Sequence, residues 1–115
     1  MISTTTAVRI LRQEFTDAAV WLSLHAGDPE EGAGEITGRQ RAIFGEPEGR
    51  TVSLAERLVW DPMPAVTVTH WSAWTAPNGG ELKWTGRLDE PVILRAGDGF
   101  RVPNEGDKTL TVYFE

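Results

Sequence analysis

A chain of 115 residues is short enough to form one domain and long enough to bury a core without disulfides or bound metals. Its formal net charge of −6 argues against partners such as duplex nucleic acid or an anionic membrane, because both require a basic protein surface. The sequence contains no cysteine, which excludes disulfide bonds and thiolate zinc sites.

The start of the chain contains the one predicted helix, which runs from Thr6 to about Ala19. Apolar residues recur there at helical spacing, and Thr5 or Thr6 is a suitable N-cap. No basic cluster followed by an apolar block is present, so we expect no signal peptide. Every apolar run in the sequence is far shorter than the ~20 residues that a membrane-spanning helix needs. We therefore expect a helical segment over residues 1–19 and a single β-sandwich domain over 20–115.

From Val20 onward the hydrophobic period changes to two, which is the spacing of β-strands. Residues 20–26 predict a strand, and the glycine-rich, acidic residues 27–38 predict a surface loop. Short strands are also predicted at Arg41–Phe44, Thr51–Leu54, Arg57–Trp60, Pro91–Leu94, Phe100–Val102 and Lys108–Phe114.

A β-hairpin is predicted around Asn78-Gly79, because this dipeptide favours the left-handed dihedrals of a type I′ turn. The second strand of the hairpin alternates cleanly between apolar and polar residues, which assigns Trp84 to the core. On the first strand the apolar residues change face near His70. We therefore expect either a β-bulge near His70 or a strand that is covered on both faces.

The number and spacing of these strands predict the fold class. Roughly eight or nine short strands, with turn signals about every ten residues, are typical of an antiparallel sandwich or barrel. The sequence thus predicts a mainly β protein: an antiparallel β-sandwich, of jelly-roll or Greek-key type, with one short N-terminal helix.

The acidic loop beside His25 is the candidate metal site. Its carboxylates are Asp28, Glu30, Glu31 and Glu35. Their spacing does not match the register of an EF-hand loop, so we expect a solvated loop in which Asp28 acts as a capping residue. A cupin-type centre needs about three histidines, and the chain has only His25 and His70. We expect no metal and no cofactor.

Catalytic motifs are not found in the sequence. Without cysteine, nucleophilic catalysis would need a serine or threonine with a histidine base, and neither histidine lies in a recognisable setting. No nucleophile elbow, no Walker loop and no distinctive pair of carboxylates is present. His70 is expected to be a strand histidine with satisfied hydrogen bonds, and the protein is expected not to be an enzyme.

Five tryptophans remain as candidates for a functional surface: Trp21, Trp60, Trp71, Trp74 and Trp84. Carbohydrate-binding modules use exposed aromatic platforms, whereas a buried ring fills the core and contributes about 2–3 kcal/mol. Trp71 and Trp74 lie on opposite faces of a regular strand, so they cannot both be platforms. We expect core filling to dominate, with Trp21, Trp60 and Trp74 as the candidate contacts to a glycan or to a protein partner.

Three segments resemble small virion proteins of tailed bacteriophages. WLSLHAGDPEEGAGEITG (residues 21–38) is similar to their Leu-x-Leu-His/Phe-Thr-x-Asp-Pro run and the acidic, glycine-rich loop that follows it. TVTHWSAWTAPNGGELKWTGRL (67–88) is similar to their Val-Thr-His hairpin with its Gly-Gly-x-Leu turn. The ending, PVILRAGDGFRV and LTVYFE, is similar to their Ala-Gly-Asp turn and closing strand. The chain departs from them at TGRQRAIF, which lacks the tyrosine of their Gly-Gly-x-Tyr-x-Arg run.

This resemblance covers nearly the whole chain from Trp21 onward. It implies a small β-sandwich of the tail-fibre, minor-tail or head-decorating type, including proteins of actinobacterial phages. The expected function is structural, through contacts with other virion proteins and in a homo-oligomer, in a virion that is assembled in the host cytoplasm. The resemblance carries no catalytic, cofactor or metal residues. The alternative function is a carbohydrate-binding module that recognises a host-surface glycan.

Overall fold

The computed structural model of the chain describes residues 2–104 and 111–113. These residues divide into two compact units. The first unit contains the described parts of 1–19, 42–58 and 102–115, and the second contains 20–41 and 59–101. The predicted division at residue 19 stays a prediction.

The predicted N-terminal helix is confirmed, with shifted ends. Helix α1 spans Thr4–Leu11 and continues as a π-helical turn over Arg12–Thr16. The helix begins before the predicted Thr6 because Ser3 is the N-cap: its Oγ accepts a hydrogen bond from the backbone N–H of Thr6 at 3.1 Å.

The helical segment contributes to the core of the first unit. Ala7, Leu11 and Phe15 recur at a spacing of four and are buried. The ring of Phe15 meets the ring of Phe44 edge-on, with centroids 5.0 Å apart, which is a favoured arrangement for two aromatic rings. The apolar face of this segment is thus used inside its own unit.

The described residues contain eight strands. They are β1 (Val20–His25), β2 (Gln40–Ala42), β3 (Thr51–Ser53), β4 (Leu58–Trp60), β5 (Val66–Trp74), β6 (Leu82–Leu94), β7 (Phe100–Val102) and β8 (Thr111–Tyr113). The largest sheet has four strands in the order β2-β1-β5-β6, and β3 pairs with β8 and β4 with β7 in two further sheets. Strand β1 pairs antiparallel with β5, β3 with β8, and β5 with β6.

The chain is therefore mainly β, in antiparallel sheets with one short N-terminal helix, as predicted. The stacking of its sheets into a sandwich stays a prediction. Within the described ranges, no helix combines the length and the apolar character that crossing a membrane would require.

Strands β1 and β5 define two faces of the largest sheet, because residues directly opposite each other in an antiparallel pair share a face. The polar face carries three cross-strand pairs: Trp21 with Trp74, Ser23 with Ser72, and His25 with His70. The apolar face carries Leu22 with Ala73 and Leu24 with Trp71. Trp71 and Trp74 thus lie on opposite faces, as predicted, and the central residues of both faces are buried.

The predicted irregularity near His70 is confirmed. The register between β5 and β6 shifts between the Val68–Val92 pair and the His70–Arg87 pair. Between these pairs β5 advances two residues and β6 advances five, so the extra residues of the bulge lie on β6.

Strand β6 is longer than predicted. It runs without a break from Leu82 to Leu94, although the sequence predicts a separate strand that begins at Pro91. Proline is tolerated in β6 because this strand lies at the edge of the sheet and Pro91 falls within the bulge, where the ladder is interrupted.

The hairpin between β5 and β6 is confirmed, but the predicted type I′ turn at Asn78-Gly79 is wrong. Positive φ angles occur at Gly79 (64°) and Gly80 (71°) and not at Asn78. Since glycine adopts these angles without a Cβ clash, the Gly-Gly pair takes the left-handed positions. The connection is also longer than two residues, since Trp74 pairs with Leu82.

The other short strands are confirmed with small differences at their ends. Strand β2 stops at Ala42, and Phe44 instead forms an isolated bridge with Leu54. Of the predicted strand Lys108–Phe114 the structure describes 111–113, as β8, and the rest lies outside the described residues.

Trp71 packs directly over Gly86 on the neighbouring strand. The two residues are register partners, and a Cβ built on Gly86 would overlap the indole of Trp71. The glycine is therefore required for close approach of the ring, and not for a turn.

We expect Gly86→Ala to lower the free energy of unfolding by about 1–3 kcal/mol, which is the usual cost of overpacking. Gly38→Ala is the control, because nothing lies within 4 Å of a Cβ at that position. Both variants are measured by chemical denaturation, alone and in a Trp71→Leu background. An equal cost of Gly86→Ala in both backgrounds would contradict the contact.

Candidate functional site

Two of the five tryptophans are core residues. Trp60, a predicted contact residue, is 2% exposed; its Nε1–H donates to the carbonyl of Gly38 at 3.0 Å, and its ring meets Phe100 edge-on. Trp71 is 5% exposed. A ring this deeply buried has no free face for a ligand, so the burial speaks against a contact role for Trp60.

Trp84 is half-buried, although the sequence assigns it to the core. It lies opposite Ala73 and therefore on the apolar face, as its alternation predicts. Its strand is the edge of the sheet and has a neighbour on one side, which reduces the cover of its side chains.

The other two candidate contact residues, Trp21 and Trp74, come together. They are directly opposite each other on β1 and β5, on the polar face, and both are half-buried. The structure thus unites two of the three candidate tryptophans in one place, and their role as contacts stays a prediction.

Arg39 connects Trp74 to two loops. Its guanidinium carbon lies 4.0 Å from the centroid of the Trp74 ring, within the range of a cation–π contact. Nε and Nη2 donate to the two carboxylate oxygens of Glu35 at 2.7 and 3.1 Å. Nη1 donates to the carbonyls of Ala76 and Gly79 at 2.7 and 2.8 Å. We call these contacts the Arg39 clamp.

The clamp is well shielded from water on the arginine side. The side chain of Arg39 is 6% exposed and that of Glu35 is 33% exposed. Bidentate pairing suits the planar fork of arginine, and a lysine could not reproduce it. Sequence reasoning missed Arg39, although a glutamate and an arginine four residues apart, at 35 and 39, were an available signal.

A second arginine accompanies the other indole. The guanidinium carbon of Arg41, an exposed residue, lies 5.9 Å from the centroid of the Trp21 ring. A sugar ring that stacks on an indole needs a bare face. Here Arg39 occupies one face of Trp74, and Arg41 lies near Trp21. The pair is therefore less suited to a glycan platform than the sequence suggests.

A buried hydrogen-bond network lies next to Trp74 on the polar face. The Nδ1 of His25 is 3.1 and 2.9 Å from the carbonyl oxygens of Ala33 and Gly34, and its Nε2 is 2.7 Å from the Oγ of Ser72. The Nε1–H of Trp74 donates to the same Oγ at 2.7 Å.

The partners assign one proton in this network. Carbonyl oxygens only accept, so Nδ1 of His25 carries a proton. Its Nε2 and the Nε1–H of Trp74 both bond to the hydroxyl of Ser72. Both ring nitrogens of His25 are therefore engaged.

The serine–histidine pair has no access to a substrate. Ser72 is 0% exposed and His25 is 1% exposed. The third group that orients a catalytic histidine is usually a carboxylate, whereas here backbone carbonyls bind Nδ1. The pair holds the acidic loop on the sheet and is not positioned as a nucleophile.

The other residues considered as ligands or bases have structural contacts. Asp28 caps a short 3-10 helix, since its Oδ1 accepts from the backbone N–H of Glu30 at 2.9 Å, as predicted. His70 lies in β5, with its Nδ1 2.8 Å from the hydroxyl of Thr69. Across the described ranges, no group of three or more histidine, aspartate or glutamate side chains is arranged to hold a metal ion.

The pKa of the Glu35 carboxyl lies below its ordinary value, chiefly because Arg39 donates hydrogen bonds to the carboxylate. Partial burial acts in the opposite direction and is outweighed. A carboxyl whose pKa is lowered by folding stabilises the folded state above its unfolded pKa. That contribution disappears as the pH falls through the lower, folded value.

We expect Glu35→Gln to lower the free energy of unfolding at neutral pH by up to about 1 kcal/mol, since the pair is partly exposed. The difference from the wild type should shrink as the pH falls below the ordinary range of glutamate. Denaturation curves at a series of pH values measure it, with Glu31→Gln, exposed in the same loop, as the control. A difference that stays constant down to acidic pH would contradict the ion pair.

Comparison with known proteins assigns the chain to a family. No curated protein matches the sequence. A family model described as podophage GP4 fiber I protein gp80 matches residues 3–110, which is most of the 115-residue chain. This match confirms the resemblance to phage virion proteins, and it identifies the chain as a member of the podophage GP4 fiber I protein gp80 family.

Proposed function

We propose that the chain is a non-enzymatic structural component of a tailed-phage fibre that acts through protein–protein contacts. The family match over residues 3–110 carries this proposal. Membership makes the chain a phage fibre protein, located in the virion and associated with other virion components. Because the family is one of fibre proteins, we favour the tail over capsid decoration.

The use of the polar side chains supports a non-enzymatic role. His25 and Ser72 form hydrogen bonds with each other, and also with loop carbonyls and with Trp74, respectively. Arg39 and Glu35 are likewise engaged in the clamp. These groups stabilise the sheet and its loops, and a structural protein needs no more from them. Assembly in the host cytoplasm is consistent with the lack of cysteine.

The outer edge of β6 is the contact surface that we propose. It is the edge strand of the four-stranded sheet and is 13 residues long. Ile93 on this strand is 81% exposed, and Leu82 at its other end is 38% exposed. Unpaired backbone groups and exposed apolar side chains together favour contact with another chain.

The charges of β6 favour a second copy of this chain as the partner. Arg87 precedes the bulge, and Asp89 and Glu90 lie within it, all three exposed. When two β6 strands align antiparallel about a two-fold axis near Leu88, Arg87 of each copy faces Asp89 of the other. Opposite charges across paired strands are favourable, and a two-fold contact of this kind gives a homo-oligomer.

Phage particles produced with the wild-type chain should contain it on the tail. Mass spectrometry of purified virions detects the chain, and immunogold electron microscopy locates it. Ile93→Lys should lower the number of copies per particle several-fold without changing the thermal stability of the isolated chain. Gln13→Lys, which adds the same charge at an exposed position of the π-helical turn, is the control.

The two outcomes separate the parts of the proposal. Wild-type chain missing from purified particles would overturn the structural function itself. Full incorporation of Ile93→Lys would overturn the β6 surface and leave the fibre role intact.

Recognition of a host-surface glycan is the second function, and the pairing of Trp21 with Trp74 on one face supports it. Because Arg39 covers Trp74, Trp21 is the residue that would meet the sugar. Titration with host cell-wall polysaccharide should then change the tryptophan fluorescence of the wild type and not that of Trp21→Ala. An unchanged wild-type spectrum over a wide concentration range would exclude this function for the polysaccharide used.

A further inference from the structure

We propose that Asn78 is a site of spontaneous deamidation, at which the side-chain amide becomes aspartate or isoaspartate through a cyclic imide formed with Gly79. Asparagine is a thermolabile residue whose lifetime depends on its neighbour and its mobility. The modification would fall at the tip of the β5–β6 hairpin, beside the Arg39 clamp.

The local structure leaves Asn78 open to this reaction. Asn78 and Gly79 are both exposed, and within the described ranges the Asn78 side chain makes no hydrogen bond. Gly79 has no side chain to hinder its backbone nitrogen, and its φ of 64° lies in a region that glycine leaves and enters at little cost. Exposed loop tips of small residues are also the most mobile parts of a domain.

The reaction needs only water. The backbone nitrogen of Gly79, after losing its proton, attacks Cγ of Asn78, so that a new C–N bond forms and the bond from Cγ to Nδ2 breaks. Ammonia leaves and a five-membered imide remains. Water then opens this ring at one of its two carbonyls, giving aspartate with the normal main chain or isoaspartate with one additional methylene in it. No oxidant or reductant takes part.

The Arg39 clamp restrains this turn on both sides of Asn78. The same Nη1 donates to the carbonyl of Ala76 and to that of Gly79. Ring closure requires the peptide between Asn78 and Gly79 to rotate. The hydrogen bond from Arg39 to the carbonyl of Gly79 holds the next peptide in place and so opposes that rotation. The folded chain should therefore react more slowly than a free peptide, and a weaker clamp should accelerate it.

Formation of isoaspartate at position 78 should disrupt the Arg39 clamp. Isoaspartate lengthens the main chain between the two carbonyls that Nη1 binds, so at least one of these hydrogen bonds is lost. Arg39 also lies over Trp74, which provides an optical signal for its displacement.

The chain supplies its own comparison site, because it has two asparagines. Asn104 precedes Glu105, whose side chain hinders ring closure, and its Nδ2 donates to the carbonyl of Ala55 at 2.8 Å. Asn104 should stay intact over the time in which Asn78 reacts.

The test follows both asparagines by peptide mapping after incubation of the purified chain in a mildly alkaline buffer. Mass spectrometry detects the exchange of amide for acid, and chromatography separates aspartate from isoaspartate. The synthetic peptide TAPNGGELK, residues 75–83, measures the unrestrained rate. Asn78→Gln, which cannot form a five-membered ring, should stay unmodified and is the negative control.

We expect conversion at Asn78 and not at Asn104, several-fold slower in the protein than in the peptide. The rate should be intermediate in Glu35→Gln, which weakens the clamp and keeps Arg39 in place. A wild-type chain that stays intact while the peptide converts, or equal rates at Asn78 and Asn104, would overturn the proposal. Equal rates in the wild type and Glu35→Gln would overturn the restraint by Arg39.

Discussion

The guanidinium of Arg39 is the group on which the polar side of the second unit depends. It joins three separate parts of the chain: the acidic loop through Glu35, strand β5 through Trp74, and the hairpin tip through two backbone carbonyls. A charge that is 6% exposed needs compensation, and here four hydrogen bonds reach a carboxylate and two carbonyls while the ring of Trp74 lies against the guanidinium. Removing the arginine would break the ion pair, both hydrogen bonds to the hairpin carbonyls and the contact with the Trp74 ring at once.

The polar face of the sheet shows how a small β unit can cover both sides of a strand pair. The apolar face of β1 and β5 carries aliphatic and aromatic side chains, which are buried. The polar face is buried by a loop, and the loop is held by His25 through carbonyl oxygens. A buried histidine and a buried serine are tolerated because each completes the hydrogen bonds of the other. These same residues would suggest catalysis if their burial were ignored.

Much of the fold follows from short-range patterns in the sequence. The period-two alternation of residues 20–25 predicts strand β1 and the two faces of its side chains, and the phase change near His70 predicts the register shift. Asp28 is recognisable as a cap from the proline and acidic residues after it. Each of these features is decided by neighbours within a few positions.

The features that the sequence did not reveal depend on contacts between distant residues. The partners of Arg39 include backbone atoms 37 and 40 positions away, and no pattern of side chains marks a carbonyl as an acceptor. The half-burial of Trp84 depends on the position of β6 at the edge, which follows from strand order and not from alternation. The choice of Gly79-Gly80 over Asn78-Gly79 depends on the length of the connection, which the register with Leu82 sets.

The uneven geometry of β6 bears on how a fibre protein stays soluble before it is assembled. A long, straight, uncharged edge would let one sheet extend into the next without limit, as in amyloid. Here the surplus residues of the bulge bend the edge, Pro91 withholds one donor, and two carboxylates follow within the same stretch. Under the contact proposed for β6, such an edge would accept a partner over a short distance only, which would give a finite assembly and not an endless one.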